Sequence, residues 1–394
     1  MKYMANIKNI VMLGFGDMGK GIAQVCLMAG YNVTAVDISD DLIEKGLEYI
    51  KTGFEKLESK GKLPEGSSAV EYLAKLKTSK VIKDVVRDAD LVIEAVVEKL
   101  DVKQNLCRDV IENSPDHCIF ASNTSTMSIT EIAENCSKPE NVIGMHFFNP
   151  APLMRLIEVI KGDKSSDESM NVGVEVSKSL PCLRGERYVA RVLKDRPGFI
   201  VNRVLSPSSI YINYIIDLAY EKGIPWEQVD ADLSGPNAPM STLTLSDFTG
   251  RDISYHGQLY YGKKLSPDYK PGKVLTMQME KGTLGKKTGQ GFYDWTKGRP
   301  QPDLSKKAGI VNSEIFAAIN SNEGCRILEE GVVSSWKVID EAILAGMNFP
   351  GPMEYATKNF KRLADLLEET AEKLGKSYLK PCDLLKSGKF VDMK

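Results

Sequence analysis

The stretch IKNIVMLGFGDMGKGIAQVCLMAGYNVTAVD, residues 7–37, decides the fold. It opens with a short apolar run ending at Gly14, the pattern of a strand buried on both faces. Residues 17–29 then carry apolar positions at helical spacing, and Gly30 stops them. Residues 32–37 form a second apolar run, so the order is strand, tight turn, helix, strand. Gly14, Gly16 and Gly19 stand at that turn in the pattern G-x-G-x-x-G. Gly14 permits the turn, Gly16 lets backbone approach a pyrophosphate, and Gly19 lets helix and strand pack closely. The helix N-terminus then faces the anion. Asp37 closes the second strand, 18 positions after Gly19. A carboxylate there accepts hydrogen bonds from ribose hydroxyls and repels a 2′-phosphate, which favours NAD over NADP. Asp17 adds a negative charge beside this site; its plainer reading is a first-turn acid that offsets the helix dipole.

Outward from this unit the alternation continues. Ser39 caps an amphipathic helix that runs towards Lys60, and residues 61–66 form a loop. Apolar runs at 89–96, 117–122, 142–147 and 155–160 predict four more strands, with a helix over 99–113. The class is therefore α/β, a Rossmann-type doubly wound sheet with ligand sites at the carboxyl ends of its strands. Beyond about Lys194 strand signals fade and all-α domains follow. Residues 199–220 predict one long helix kinked at Pro207. A linker rich in Gly, Lys and Pro covers roughly 281–302.

The last segment is a weak internal repeat. Residues 219–226 with Val229 and Asp230 parallel 328–332, Trp336, Ile339 and Asp340, and 237–240 parallel 348–351. The expected division is a dinucleotide-binding domain over 1–194, a helical domain over 195–300 and a degenerate second helical copy over 301–394.

Bulk composition narrows the function. A chain of 394 residues exceeds one compact core, and 42% hydrophobic with 26% charged residues is ordinary for a soluble globular protein. Lys and Arg number 51 against 53 Asp and Glu, a net charge of -2 that gives no reason to expect nucleic acid or an anionic membrane as partner. The seven cysteines form no CxxC pair and are odd in number. Neither a metal cluster nor a disulfide framework is expected, and a reducing cytoplasm fits. Residues 1–10 lack the long apolar stretch of a secretory signal, so none is expected, and no window approaches a membrane span.

Three stretches carry the chemistry: SNTST at 122–126, HFFNPAPLMRLIE at 146–158 and PGFIVN at 197–202. Oxidising an alcohol needs a base for the hydroxyl proton and an acceptor for the hydride. Histidine is the usual base, and the chain has His117, His146 and His256. His146 closes a predicted strand at the carboxyl edge, and Glu158 in the next strand is placed to hold its imidazole. Ser125 and Asn202 are neutral polar groups suited to binding a substrate oxygen. The alternatives are a structural histidine and a serine that caps the following helix. His117 and His256 are assigned no role.

In this order the motifs resemble the L-3-hydroxyacyl-CoA dehydrogenase family over about residues 7–295. The repeat resembles a second copy of that family's C-terminal domain, as in its longer multifunctional members. The resemblance implies a catalytic pair in His146 and Glu158, with Ser125 and Asn202 on the substrate. It implies cofactor contacts at Asp37, Glu98, Lys103, Asn123 and Lys287, and a CoA contact at Lys60. Gly53 departs from the pattern, which has serine there. The implied reaction is NAD-dependent oxidation of a (S)-3-hydroxyacyl-CoA to the 3-ketoacyl-CoA, and its reverse, in fatty-acid or short-chain acyl-CoA metabolism. Substrate is expected in a cleft between the dinucleotide-binding and helical domains. Rival readings are a dehydrogenase of a free hydroxy acid or sugar acid, and a non-catalytic NAD-binding protein, which has no need of those four residues. No segment is long enough for a separate hydratase domain, so an enoyl-CoA hydratase enters only as a candidate partner. Single-copy members pair through the C-terminal domain, so a second copy in one chain predicts a monomer with an internal pseudo-dimer, a homodimer being the alternative.

Overall fold

The computed structural model describes residues 7–235 and 240–394. Eight strands form one sheet: β1 (Asn9–Leu13), β2 (Asn32–Val36), β3 (Leu76–Ser79), β4 (Leu91–Glu94), β5 (Ile119–Ser122), β6 (Val142–Phe147), β7 (Leu156–Lys161) and β8 (Tyr188–Val192). Their spatial order is β3-β2-β1-β4-β5-β6-β7-β8. The first six follow the 3-2-1-4-5-6 order of a doubly wound dinucleotide-binding sheet, with the switch point between β1 and β4. All neighbours are parallel except β6 and β7, which run antiparallel.

Helices α1 (Asp17–Met28), α2 (Asp40–Ser59), α3 (Ala69–Leu73), α4 (Ile82–Val85), α5 (Leu100–Asn113), α6 (Ile129–Ile132) and α7 (Asp167–Ser179) connect these strands. Ser39 caps α2 as expected, accepting from the Leu42 N–H. The core beneath is continuous and aliphatic, with Ile10, Met12, Ile22, Val25, Leu91 and Ile93 all buried. Gly46 lets α2 close on the Phe15 ring, since a Cβ there would lie 2.3 Å from ring carbons.

Two strands, β3 and β8, and three helices, the short α3 and α4 and the longer α7, lie outside the expected elements. The β3 sequence LKTS lies at the sheet edge and is mostly polar, so it lacks the apolar signal of an inner strand. The opposite edge, β8, carries only a partial alternation in YVARV. α7 was likewise unread, although Ser166 caps it.

Helices α8 (Val201–Leu205), α9 (Ser208–Glu221), α10 (Trp226–Leu233), α11 (Thr242–Thr249), α12 (Arg251–Lys264), α13 (Lys273–Lys281), α14 (Ser313–Glu329), α15 (Trp336–Met347), α16 (Met353–Leu374) and α17 (Asp383–Ser387) follow. The single kinked helix expected over 199–220 is two helices, α8 and α9, because Pro207 lacks the N–H that would continue the ladder. It also begins later than expected, since Phe199 has a φ of 56°.

Contacts divide the chain into two compact units at places other than 194 and 300. The first runs to Asn202 and takes in Ile327–Gly351; the second comprises Arg203–Arg326 and Pro352–Met393. Within the first unit α15 packs on β7 and β8. Gly346 permits this, for a Cβ there would come 2.8 Å from a Leu156 methyl. The Leu193 N–H donates to the Val332 carbonyl at 2.8 Å.

Within the second unit the Arg203 guanidinium pairs with the Glu323 carboxylate, and both are fully enclosed. The Tyr378 hydroxyl (2.8 Å) and Arg326 (3.0 Å) complete the coordination of Glu323, so the buried charge is compensated. Along the chain α9 leads by a short turn to α10, and α14 to α15, with a tryptophan opening each second helix. Residues 237–239, half of the second parallel, lie outside the described residues.

Candidate active site

The antiparallel pairing of β6 and β7 sets His146 directly opposite Glu158. Opposed residues project from the same face, so twelve residues of sequence collapse into one cross-strand pair. His146 Nδ1 lies 2.7 Å from Glu158 Oε2. The other carboxylate oxygen accepts the N–H groups of Ile200 (3.2 Å) and Val201 (3.0 Å). Glu158 is fully buried and His146 is 5% exposed. A buried carboxylate is costly unless its lone pairs are met, and here three donors meet them. Positive φ at Gly198 (79°) and Phe199 (56°) turns the chain so that those two N–H groups point at Glu158. The Phe148 and Phe199 rings flank the imidazole, with centroids at 4.6 and 5.8 Å. With Nδ1 engaged by Glu158, Nε2 is the nitrogen left for proton transfer.

Ser125 sits between β5 and α6, half-buried. It does not cap α6; Ser128 does, accepting from the Glu131 N–H at 3.1 Å. Asn202, half-buried, follows Val201 in the first turn of α8. His117 pairs with Asp90 at 3.0 Å, and His256 lies edge-on against Tyr255 in α12.

The glycine turn has the form the motif requires. Gly14 has a φ of 85°, and a Cβ there would meet the Ala95 carbonyl oxygen at 2.5 Å. A Cβ on Gly19 would lie 1.9 Å from the Gly14 carbonyl oxygen. Gly16 is different: nothing lies within 4 Å of its Cβ position, so open space stands over the backbone at the start of α1. That opening, at a helix N-terminus, fits a pyrophosphate. Asp37 accepts from the Phe15 and Ser39 N–H groups at 2.8 and 3.0 Å, which orients its carboxylate at the tip of β2. The Asp17 charge is offset by Lys20 at 2.6 Å.

Four further residues assigned to the cofactor by resemblance have structural partners. Lys103 is 1% exposed and its ammonium lies between Glu94 (2.6 Å) and Glu98 (3.1 Å). Burial pushes the Glu98 carboxyl up, but Lys103 and the Thr124 and Thr126 hydroxyls outweigh it and hold it below the ordinary carboxylate range. Glu98 thereby ties down the loop that carries Ser125. Asn123 uses its carboxamide oxygen to accept the Phe147 N–H at 2.8 Å, one residue past His146. Lys287 lies in the second unit and pairs with Asp252.

Glu94 went unassigned from sequence. Fully buried at the end of β4, it gathers the Val96 N–H, the Ser122 hydroxyl and Lys103. The available signal was an acid closing the otherwise apolar strand LVIE.

Along α2 lies a cleft of about 790 Å³ that includes Lys20, Lys45, Lys56, Lys60 and Lys62, with Glu48 as its one acid. Gly53 is in its wall, and a Cβ there would come 2.5 Å from the Gln24 amide nitrogen. The missing serine therefore reflects close packing of α1 on α2. Gly53→Ser is expected to lower stability by about 1 kcal/mol, the low end for overpacking, since what must move is the end of the buried Gln24 side chain. A thermal melt of the variant measures this, and an unchanged midpoint counts against the packing explanation.

Among the described residues no helix is long and apolar enough to cross a membrane, and no cluster of three metal-ligating side chains occurs.

Residues 9–182 match the family model of the 3-hydroxyacyl-CoA dehydrogenase NAD-binding domain, and residues 198–295 match that of the C-terminal domain. A probable 3-hydroxybutyryl-CoA dehydrogenase of Bacillus subtilis is 37% identical, over 73% of this chain and 98% of its own. The fatty acid oxidation complex subunit alpha of Psychrobacter arcticus is 33% identical over 95% of this chain. This chain spans about half of that subunit's length, 54%. The crystal structure of a 3-hydroxybutyryl-CoA dehydrogenase from Escherichia coli superposes with a TM-score of 0.83 at 27% identity, covering 97% of this chain and 98% of that one. The last two matches take in most of residues 301–394, which neither family model reaches. With both family models in their natural order and close likeness to whole members, the chain belongs to the 3-hydroxyacyl-CoA dehydrogenase family.

Proposed function

We propose that the protein catalyses NAD-dependent oxidation of (S)-3-hydroxyacyl-CoA to 3-ketoacyl-CoA and the reverse reduction. The observation that carries this reading is the His146–Glu158 pair, fixed across β6 and β7 and held by the start of α8. His146 Nε2 takes the proton of the 3-hydroxyl. Glu158 offsets the charge that develops on the imidazole, which needs no reorganisation because its other oxygen is already bound. Ser125 and Asn202 bind the substrate oxygen and orient the carbon that bears it. In reduction His146 returns the proton. When bound, NAD supplies the hydride acceptor. Gly14, Gly16 and Gly19 shape its pyrophosphate site and Asp37 takes its ribose hydroxyls. Glu98, Lys103 and Asn123 hold the surrounding loops.

The lysine-rich cleft on α2 suits the CoA phosphates, with Lys60 as one contact. This favours a thioester over a free hydroxy acid. The test is NADH oxidation with a series of 3-ketoacyl-CoA thioesters against the matching free acids. Turnover is expected on the thioesters, and equal turnover on the free acids refutes the substrate class. Asp37→Ala is expected to weaken NAD binding about tenfold, the loss of one to two charged hydrogen bonds, with little change for NADP. Dissociation constants for both cofactors check it; an unchanged ratio removes Asp37 from the site.

The second helical copy supports a monomeric protein in which it takes the place of a partner subunit, and light scattering that finds an obligate dimer argues against this. A 3-hydroxyacyl thioester arises by hydration of a 2-enoyl thioester, so an enoyl-CoA hydratase is the matching partner reaction, in the cytoplasm.

A further inference from the structure

Two of the seven cysteines meet. Cys107 lies on the buried face of α5, and Cys136 lies four residues beyond α6, half-buried. Their sulfurs are 2.7 Å apart, against about 2.05 Å for a covalent S–S bond. By contrast, the thiols of Cys118, Cys182 and Cys382 lie against backbone carbonyls. The pair is held by its scaffold. One turn before Cys107, the Gln104 side chain donates to the Glu131 carbonyl at 2.8 Å and so ties α5 to α6. The Cys136 N–H donates to the Ala133 carbonyl at 3.1 Å, which fixes the turn that delivers its sulfur.

We propose that Cys107 and Cys136 form a reversible disulfide when the protein meets a peroxide. The two thiols have different environments. Cys107 is pushed up by its hydrogen bond with Cys136 and by burial. Cys136 is drawn down by its bond with Cys107 and by the Arg108 guanidinium, against partial desolvation. The more exposed Cys136 thus has the greater thiolate character and attacks first. Its sulfur bonds to one peroxide oxygen, the O–O bond breaks, and the leaving hydroxide takes up a proton as water. The Cys107 sulfur then attacks the Cys136 sulfenic acid, the S–O bond breaks, and a second water leaves with the Cys107 proton. Two thiols lose two electrons in all, and one peroxide becomes two waters. The product closes a ring running from residue 107 to residue 136. This is a reducible pair in a chain that otherwise has the cysteine usage of a reducing compartment.

The experiment treats the full chain with hydrogen peroxide near stoichiometry, blocks remaining thiols with iodoacetamide, and maps peptides by mass. The expected result is one crosslinked peptide joining residues 107 and 136, two thiols lost per chain, and full recovery with dithiothreitol. Cys107→Ala is expected to leave a dimedone-reactive sulfenic acid on Cys136, and Cys136→Ser to leave Cys107 fully alkylated. If Cys107→Ala fails to fold, the Cys136→Ser result and the wild-type map still decide. Alkylation of both cysteines after peroxide, or crosslinks to other cysteines or between chains in their place, overturns the proposal.

Discussion

His146→Ala is expected to lower kcat by about 10²–10⁴, the range a positioned general base supplies. That is roughly 3–5 kcal/mol of transition-state stabilisation. Glu158→Gln is expected to fall in the same range for a different reason. The glutamine oxygen can still accept the Ile200 and Val201 N–H groups, so the backbone at the start of α8 is retained. What changes is the group facing His146 Nδ1, where an amide N–H₂ replaces a carboxylate oxygen. The imidazole then takes the other tautomer, with its proton on Nε2, and has no acceptor site left for the hydroxyl. NADH dissociation constants are expected to move less than about twofold in both variants, because binding and chemistry use different groups. The check is steady-state kinetics with a 3-ketoacyl-CoA together with NADH titration by fluorescence. Wild-type turnover in either variant removes the pair from the mechanism.

The parts of this protein that were legible in sequence are those where local pattern and tertiary structure share one cause. Gly14, Gly16 and Gly19 are visible because a turn between strand and helix needs glycine there whatever the rest of the chain does. His146 and Glu158 are visible as residues, but their meeting depends on β6 and β7 running antiparallel in a sheet that is otherwise parallel. Composition does not encode that reversal; it follows from the short connection over residues 148–155. The polar edge strand β3 was hidden because its side chains have little to bury. Gly53 was legible as a departure, while its reason, the Gln24 amide packed against it, is a contact between helices. The compact units likewise divide at places other than residue 300. α15 looks like a helix of the repeat, yet it packs on β7 and β8 through Gly346, and nothing local distinguishes that glycine from any other in a helix.

Lys103→Met is expected to lower stability by about 3–5 kcal/mol, the cost of leaving a buried carboxylate without its cation. In the pattern of α5 the residue looks like a surface lysine, and replacing a surface lysine usually changes stability by less than about 0.5 kcal/mol. The difference between those figures comes from Glu94. With the ammonium gone, that fully buried carboxylate retains only the Val96 N–H and the Ser122 hydroxyl. Glu98 loses the same cation and with it part of its hold on the Thr124 and Thr126 hydroxyls. Urea denaturation measures the loss as a lower midpoint. A direct cofactor lysine behaves otherwise: its removal weakens NADH binding and leaves the midpoint in place. The double variant Glu94→Gln/Lys103→Met separates the two cases further. If the lysine serves chiefly to neutralise Glu94, removing both charges returns most of the lost stability, because a neutral amide costs less to bury than an unpaired carboxylate. A double variant no more stable than Lys103→Met alone shows that the cost lies in the packing of α5 on the sheet and not in the charge.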